Sequence, residues 1–349
     1  MKSASSQARA RRTKEEVQPG SEPQTKPQTK PQSKGQLAAT RIHFAGQSEA
    51  GEVRKVNQDT YFVDTTPQGV LGIVADGMGG HQSGEIASQT AVEVLSRALK
   101  KAHAHPPAAI ARAVQDANLK IYDYATEHPE SRGMGTTLTT LLIDDQIGLV
   151  GHVGDSRAYL VRGGDIHQLT QDHSWVADRV RQGLLSEEEA RHHRWRNIIT
   201  NALGSTPEFK LDIFHFEVRS GDTLMLCSDG ITTLLSDEVI LQILSEHAPE
   251  DAAAKLIENA NERGSPDNVT AVVLFAETVE PKPKRYDLPK EEASSVNIGE
   301  TMSGIYKVEE AYPSRRRLDK LRRQNWYPYR VWILGCIYLF MLFLYFSLR

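Results

Sequence analysis

Five aspartates constrain this chain more than any other feature: Asp59 in RKVNQD, Asp76 in VADGMGG, Asp155 in HVGDSR, Asp229 in LCSDG and Asp267 in SPDN. Each stands at the end of a strand-like run, in a turn that also holds Gly or Asn. One such aspartate is adequately explained as a turn residue bonding its own backbone. Five require more. If their strand ends converge on one edge of a sheet, the carboxylates repel one another unless cations neutralise them. Oxygen-only ligands, with no Cys and few His in the motifs, select hard ions such as Mg²⁺ or Mn²⁺. Two such ions about 4 Å apart hold a bridging hydroxide at neutral pH and clamp a phosphoryl group for in-line attack. The reaction class that follows is phosphomonoester hydrolysis.

The surrounding pattern says what carries these turns. Strand-like runs lie at 60–64, 70–75, 136–143, 147–153, 158–162, 223–227 and 269–275, most bounded by Gly, Asp or Asn. Tight turns at Asp144-Asp145 and Gly163-Gly164 favour antiparallel pairing. Ala, Leu, Val and Ile recur at helical spacing over 84–102 and 107–125, which predicts two long helices. Strands and helices segregate along the chain, so an α+β fold is expected rather than βαβ winding. Residues 172–206 are polar and helical in pattern and read as an insertion over the sheet.

Charge separates this body from its flanks. Residues 1–40 carry 8 basic and 3 acidic side chains and residues 281–349 carry 13 and 7, leaving 20 against 35 for residues 41–280. The middle of the chain is therefore near −15, which suits divalent cations and disfavours nucleic acid. Cys227 and Cys336 are the only cysteines and lie far apart, so no disulfide framework is expected and a reducing compartment is the default. Cys227 is read as a buried, inert thiol. The adjacent pair His192-His193 reads as a solvated surface, because neighbouring residues on a helix point in different directions.

The domain boundaries follow. Residues 1–40, with the repeat PQTKPQTKPQSK, are expected to be a disordered basic tail. Residues 41–278 form the folded domain, 279–328 a linker with a basic juxtamembrane segment, and 329–349 a transmembrane anchor. Val331 to Phe346 has sixteen residues without a charge, flanked by Trp326, Tyr327 and Tyr329 and preceded by seven basic residues from Arg315 to Arg330. That run sits at the short end of the 17 to 25 residues a span usually takes. The basic flank predicts a single-pass protein of the cell inner membrane with its catalytic domain in the cytoplasm, in contact with membrane lipid through the C-terminal helix.

Two further residues have local chemical reasons. Gly77, lacking Cβ, lets a backbone carbonyl turn toward an ion. Arg54 offers a guanidinium able to grip two phosphate oxygens, with a surface ion pair as the alternative.

Taken in order, R-x-x-N-Q-D (54–59), A-D-G-M-G-G-H (75–81), G-T-T (135–137), V-G-D-S-R (153–157), L-T-Q-D-H-S (169–174), C-S-D-G (227–230) and P-D-N-V-T (266–270) resemble the metal-dependent, protein phosphatase 2C-like family of bacterial type. The resemblance covers almost all of 41–278. It implies an α-β-β-α sandwich of two antiparallel sheets flanked by helices, with two Mn²⁺ or Mg²⁺ ions at one end and a weaker third. It implies hydrolysis of phosphoserine and phosphothreonine in phosphorylated proteins, opposing a Ser/Thr kinase at the same membrane. Asp76 would bridge the ions, the Gly77 carbonyl would hold one, Asp229 and Asp267 the other, and Asp59 would act through water. Asp155 matches a ligand of the third ion, Arg54 matches the arginine that binds substrate phosphate, and residues 178–205 match a variable flap. Two departures stand out. Met78 occupies a position where animal members often have His, leaving the leaving-group proton donor unassigned, with His81 and His173 as candidates by proximity in sequence. Gln58 replaces a frequent Glu. A catalytically silent scaffold of the same fold would lack metal ligands, and every expected aspartate is present.

Overall fold

The computed structural model describes residues 40–280, apart from 81, together with 302–303. The tail at 1–39, most of the linker and the expected anchor at 329–349, Cys336 included, lie outside the described residues. Among the described residues no helix is long and apolar enough to cross a membrane.

The strands are β1 (Arg41–Glu49), β2 (Asp59–Thr66), β3 (Gly69–Met78), β4 (Gly135–Thr136), β5 (Leu138–Asp144), β6 (Ile147–Val153), β7 (Arg157–Arg162), β8 (Asp165–Gln168), β9 (Asp212–Glu217), β10 (Thr223–Cys227), β11 (Val269–Thr278) and β12 (Met302–Ser303). The helices are α1 (Ser83–Leu99), α2 (Pro106–Glu127), α3 (Trp175–Arg181), α4 (Glu187–Arg191), α5 (Asp229–Thr232), α6 (Asp237–Glu246) and α7 (Pro249–Glu262). One sheet runs β1-β11-β10-β7-β8 and the other β12-β9-β6-β5-β3-β2, with β4 added alongside β3. Every pairing is antiparallel, as the tight turns predicted.

Period-two alternation explains the layering. In β3, Val70 and Val74 point between the sheets, where they meet Leu160, Leu226, Val272 and Leu274 of the opposite sheet. Leu71, Ile73 and Ala75 point outward into a second core with Leu95 of α1 and Ile110 of α2. On the far side Met225, Ala271 and Val273 pack against Ile240 of α6 and Leu256 of α7. The result is helix, sheet, sheet, helix, each layer burying the apolar face of its neighbour.

Several elements differ from expectation. The run at 136–143 is broken at Thr137, because this residue spends its backbone N–H and its hydroxyl on the carbonyl and N–H of Asp76 rather than on a straight ladder. β1 and β9 carry polar residues within half-buried or mixed faces, so neither shows clean alternation. The polar stretch after 172 forms only two short helices, α3 and α4, the second started by a capping box between Ser186 and Glu189.

Candidate active site

Strand register brings the aspartates to one rim. Asp59 and Asp76 are direct partners across the β2–β3 ladder. Asp155 follows Val153 at the end of β6, Asp229 opens α5 immediately after β10, and Asp267 precedes β11, which pairs with β10. The Asp229 and Asp267 turns are pressed together. A Cβ on Gly230 would come 2.0 Å from the Asn268 carbonyl oxygen. Asn268 organises the opposite loop as well: its amide donates to the carbonyls of Ala50 and Val56, each at 3.0 Å, and its Oδ1 accepts from the Gln58 N–H at 2.9 Å. Arg54 is thereby held where its guanidinium bonds the Asp267 carboxylate at 3.0 Å, with both side chains partly exposed. Arg54 thus forms the ion pair weighed as its alternative role, and that pair sits on the rim itself.

The carboxylates are held from behind. Both the Ser228 and the Thr270 hydroxyl donate to Asp59 Oδ2, at 2.7 and 2.6 Å, which leaves the buried Oδ1 without a hydrogen-bond partner. Asp155 is also buried and its Oδ1 is likewise unpaired. Asp76 has its N–H bonded to the Thr137 hydroxyl at 2.9 Å, and its carbonyl accepts from the Thr136 hydroxyl at 2.8 Å. Gly77 is required for space: a Cβ there would meet the Gly84 carbonyl at 2.1 Å, so α1 packs directly on this turn.

Electrostatics mark the rim as incomplete without positive charge. Burial, opposed by the two hydroxyls and reinforced by Asp229 and Asp267, raises Asp59 to about 7. Burial and then the nearby Asp267 raise Asp229 to about 6. Asp76 and Asp155 are pushed well above the usual carboxylate range, chiefly by burial and then by neighbouring carboxylates. Two like unit charges 4 Å apart near a protein surface repel by about 4 kcal/mol. Buried, unpaired carboxylate oxygens clustered this way fit hard divalent cations. Among the described residues no three carboxylates are already closed into a finished ligand cluster.

The proposed proton donors fare differently. His81 lies outside the described residues. His173 is buried and fully engaged, its Nε2 donating to Asp212 at 2.9 Å and its Nδ1 accepting from the Gly154 N–H at 3.1 Å, so it is not placed to protonate a leaving group. Cys227 is buried, and burial lifts its thiol to about 12, in keeping with an inert residue. His192 is exposed and paired with Glu188, whereas His193 stacks on Trp175 with ring centroids 5.0 Å apart. Thr137, Ser228, Thr270 and Asn268 were present in the sequence motifs without an assigned role, and His173 was read there only as a candidate proton donor. Their only signal was membership of those motifs.

Fold and rim together are those of a metal-dependent phosphoprotein phosphatase. The profile of the family described as Protein phosphatase 2C matches residues 48–269, and the chain belongs to that family. The serine/threonine phosphatase stp of Listeria innocua is 35% identical over 241 residues, covering 67% of this chain and 95% of that protein. The crystal structure of the serine/threonine phosphatase PstP/Ppp of Mycobacterium tuberculosis shares 37% identity with a TM-score of 0.64, over 68% of this chain and 99% of that one. The catalytic domain of PstP solved with two manganese ions shares 36% identity with a TM-score of 0.62, over 67% of this chain and 97% of that one. The chain is thus a Ser/Thr protein phosphatase of the bacterial type.

Proposed function

We propose that this chain removes phosphate from phosphoserine and phosphothreonine in proteins, using two Mn²⁺ or Mg²⁺ ions held by Asp76, the Gly77 carbonyl, Asp229 and Asp267. Asp59 serves the pair through water, and Asp155 serves a weaker third ion. The observation that carries the proposal is the pair of buried, unpartnered oxygens, Asp59 Oδ1 and Asp155 Oδ1, on a rim of mutually repelling carboxylates. When bound, the ions lower the pKa of water toward neutrality and neutralise the phosphoryl oxygens. The chain's own residues supply the rest. Ser228 and Thr270 fix Asp59 by its Oδ2 and leave Oδ1 without a protein partner. Arg54 exchanges its Asp267 partner for two phosphate oxygens, a bidentate grip that a guanidinium geometry favours. Met78 has no ionisable proton to give, so protonation of the leaving alkoxide falls to water or to another residue.

Full-length protein should hydrolyse a phosphothreonine peptide in Mn²⁺ and lose that activity in excess chelator. Equal rates with and without chelator would overturn the mechanism. The C-terminal run Val331 to Phe346 and its basic flank support a tether that would place the domain on the cytoplasmic side of a membrane, facing the substrates of a co-resident Ser/Thr kinase. Deleting 331–349 should move the protein to the soluble fraction.

A further inference from the structure

Behind the rim lies a buried polar chain that the phosphatase chemistry does not use. It begins at Gly154, the residue before Asp155. Gly154 has φ +108°, and a Cβ there would sit 2.6 Å from Thr137, so its peptide is confined by conformation and by space. Both polar groups of Gly154 are taken by one residue. Its carbonyl accepts from the His173 N–H at 2.7 Å, and its N–H donates to His173 Nδ1 at 3.1 Å. Asn201 Nδ2 donates to the same Nδ1 at 2.9 Å and to the Lys210 carbonyl at 2.8 Å. Because Nδ1 accepts from two N–H donors, the ring proton resides on Nε2, where it is donated to Asp212 Oδ2 at 2.9 Å. Asp212 is kept ionised: burial opposes its charge, but the bond and charge of His173, then Lys210, outweigh burial and lower its pKa.

His173 also marks the base of the flap. Its carbonyl accepts from Thr200 N–H at 2.8 Å, and Ser174 pairs with Ile199 where the two limbs of the insertion meet. One side chain therefore joins the outgoing limb, the returning limb at Asn201, the first residue of β9 and the peptide that aims Asp155.

We propose that His173 is a positioning residue: as the Nε2–H tautomer locked by Asp212, it holds the Gly154 peptide and so fixes the Asp155 carboxylate for the weak third metal ion. The proposal rests on the reading of Asp155 given above. It makes the weakest metal site depend on the seating of the flap base, while the ions held by Asp76, Asp229 and Asp267 are independent of it.

Two near-isosteric substitutions separate this from a structural role. An Asn side chain presents its oxygen close to the place of Nδ1, so His173→Asn keeps the acceptor for Gly154 and loses Asp212. A Gln side chain presents its amide near the place of Nε2, so His173→Gln keeps Asp212 and loses Gly154. The experiment is a Mn²⁺ titration of the full chain by equilibrium dialysis with EPR detection of free Mn²⁺, alongside apo-protein melting and Asp155→Asn as a benchmark. His173→Gln should weaken the weakest Mn²⁺ site by about tenfold or more, the usual scale for loss of an outer-shell partner. His173→Asn should stay within about threefold of the parent, and in both variants the tighter ions should bind as in the parent. Rescue by Gln but not by Asn would show that the Asp212 pair matters and would overturn the proposal. So would unchanged Mn²⁺ binding in His173→Gln. If Asp155→Asn itself binds Mn²⁺ like the parent, the assignment of Asp155 falls first and this proposal with it.

Discussion

The rim from Asp59 to Asp267 and the insertion at 172–206 that carries the flap share a base at Gly154 and Thr136, yet they are assembled in opposite ways. On the rim, carboxylates gather at strand ends, Asp59 and Asp155 buried, and Asp59 and Asp76 are steadied by the hydroxyls of Thr137, Ser228 and Thr270 from three other segments. On the flap, two short helices are largely exposed, and Trp175 of α3 stacks on His193 and meets Trp195 edge-on in the segment after α4, with Arg179 and Arg194 over the indoles. Burial, and then neighbouring carboxylates, push Asp59 and Asp76 above the usual carboxylate range, so a fully charged rim is unfavourable on its own. The flap carries no such strain, so its residues are free to suit whatever approaches. The outer part of the flap, away from its base at His173 and Asn201, can therefore vary without disturbing the rim.

The sharpest way to break that contrast is to remove a rim carboxylate. Asp76→Ala and Asp229→Ala should each lower turnover of a phosphothreonine peptide by about a thousandfold or more, on the scale of losing a principal electrostatic contributor. The same variants should melt higher than the parent in the absence of metal, because a repelling charge is gone. In a domain of this size about 1 kcal/mol moves the melting temperature by roughly 2–4 °C. An active variant, or one that melts lower without metal, would show that the rim is not under electrostatic strain.

A second effect, of several degrees, is the pH dependence of metal protection. Asp59 near 7 and Asp229 near 6 lie above the ordinary value of 3.8, so the folded apo protein binds more protons than the unfolded chain between these limits. Their contribution is fully present at low pH and is lost as pH rises through 6 to 7. Divalent ions need the deprotonated rim. The rise in melting temperature on adding Mn²⁺ should therefore grow from pH 5 to pH 8. Taking that difference at each pH removes the opposing contribution of His152, whose burial holds its pKa near 4 and whose stabilisation is lost as pH falls below about 6.5. A metal-induced shift that is flat with pH would remove the carboxylates from the account.

A third comparison concerns packing. Leu226→Ala, between the two sheets, should cost about 2–5 kcal/mol in denaturant unfolding, the usual range for a core leucine. The smallest effect is expected on the flap. Trp195 is 38% exposed, so Trp195→Ala should change stability by about 0.5 kcal/mol or less. It should leave hydrolysis of a small aryl phosphate within about twofold, while raising KM for a phosphoprotein several-fold, as loss of an exposed aromatic anchor does. Parallel loss on both substrates would place Trp195 with the rim and erase the distinction.

Much of the rim was legible in the sequence because Asp beside Gly at a strand end is a local signal. The five aspartate turns gather on one rim, and the two long helices lie close to the spans that spacing predicted. What lay beyond reach was non-local. Ser228 and Thr270 grip an aspartate that lies 169 and 211 residues away, and His173 holds a glycine 19 residues back. Nothing in a single hydroxyl or imidazole announces such a partner. β1 escaped because its residues are mostly half-buried, which blurs the alternation that reveals a strand. Arg54 was read for its chemistry, and only the fold shows that Asp267 shares it.

β11 is the last long strand of the domain in sequence, yet it lies between β1 and β10 and leads directly from Asp267. A growing polypeptide therefore cannot complete the β1-β11-β10-β7-β8 sheet until residue 278 has left the ribosome, although the strands β2, β3, β5, β6 and β9 of the other sheet are all made by residue 217. Long-range pairing of this kind is also slow to form. With the ligand set proposed above, a chain truncated before Asp267 should hydrolyse no phosphothreonine peptide.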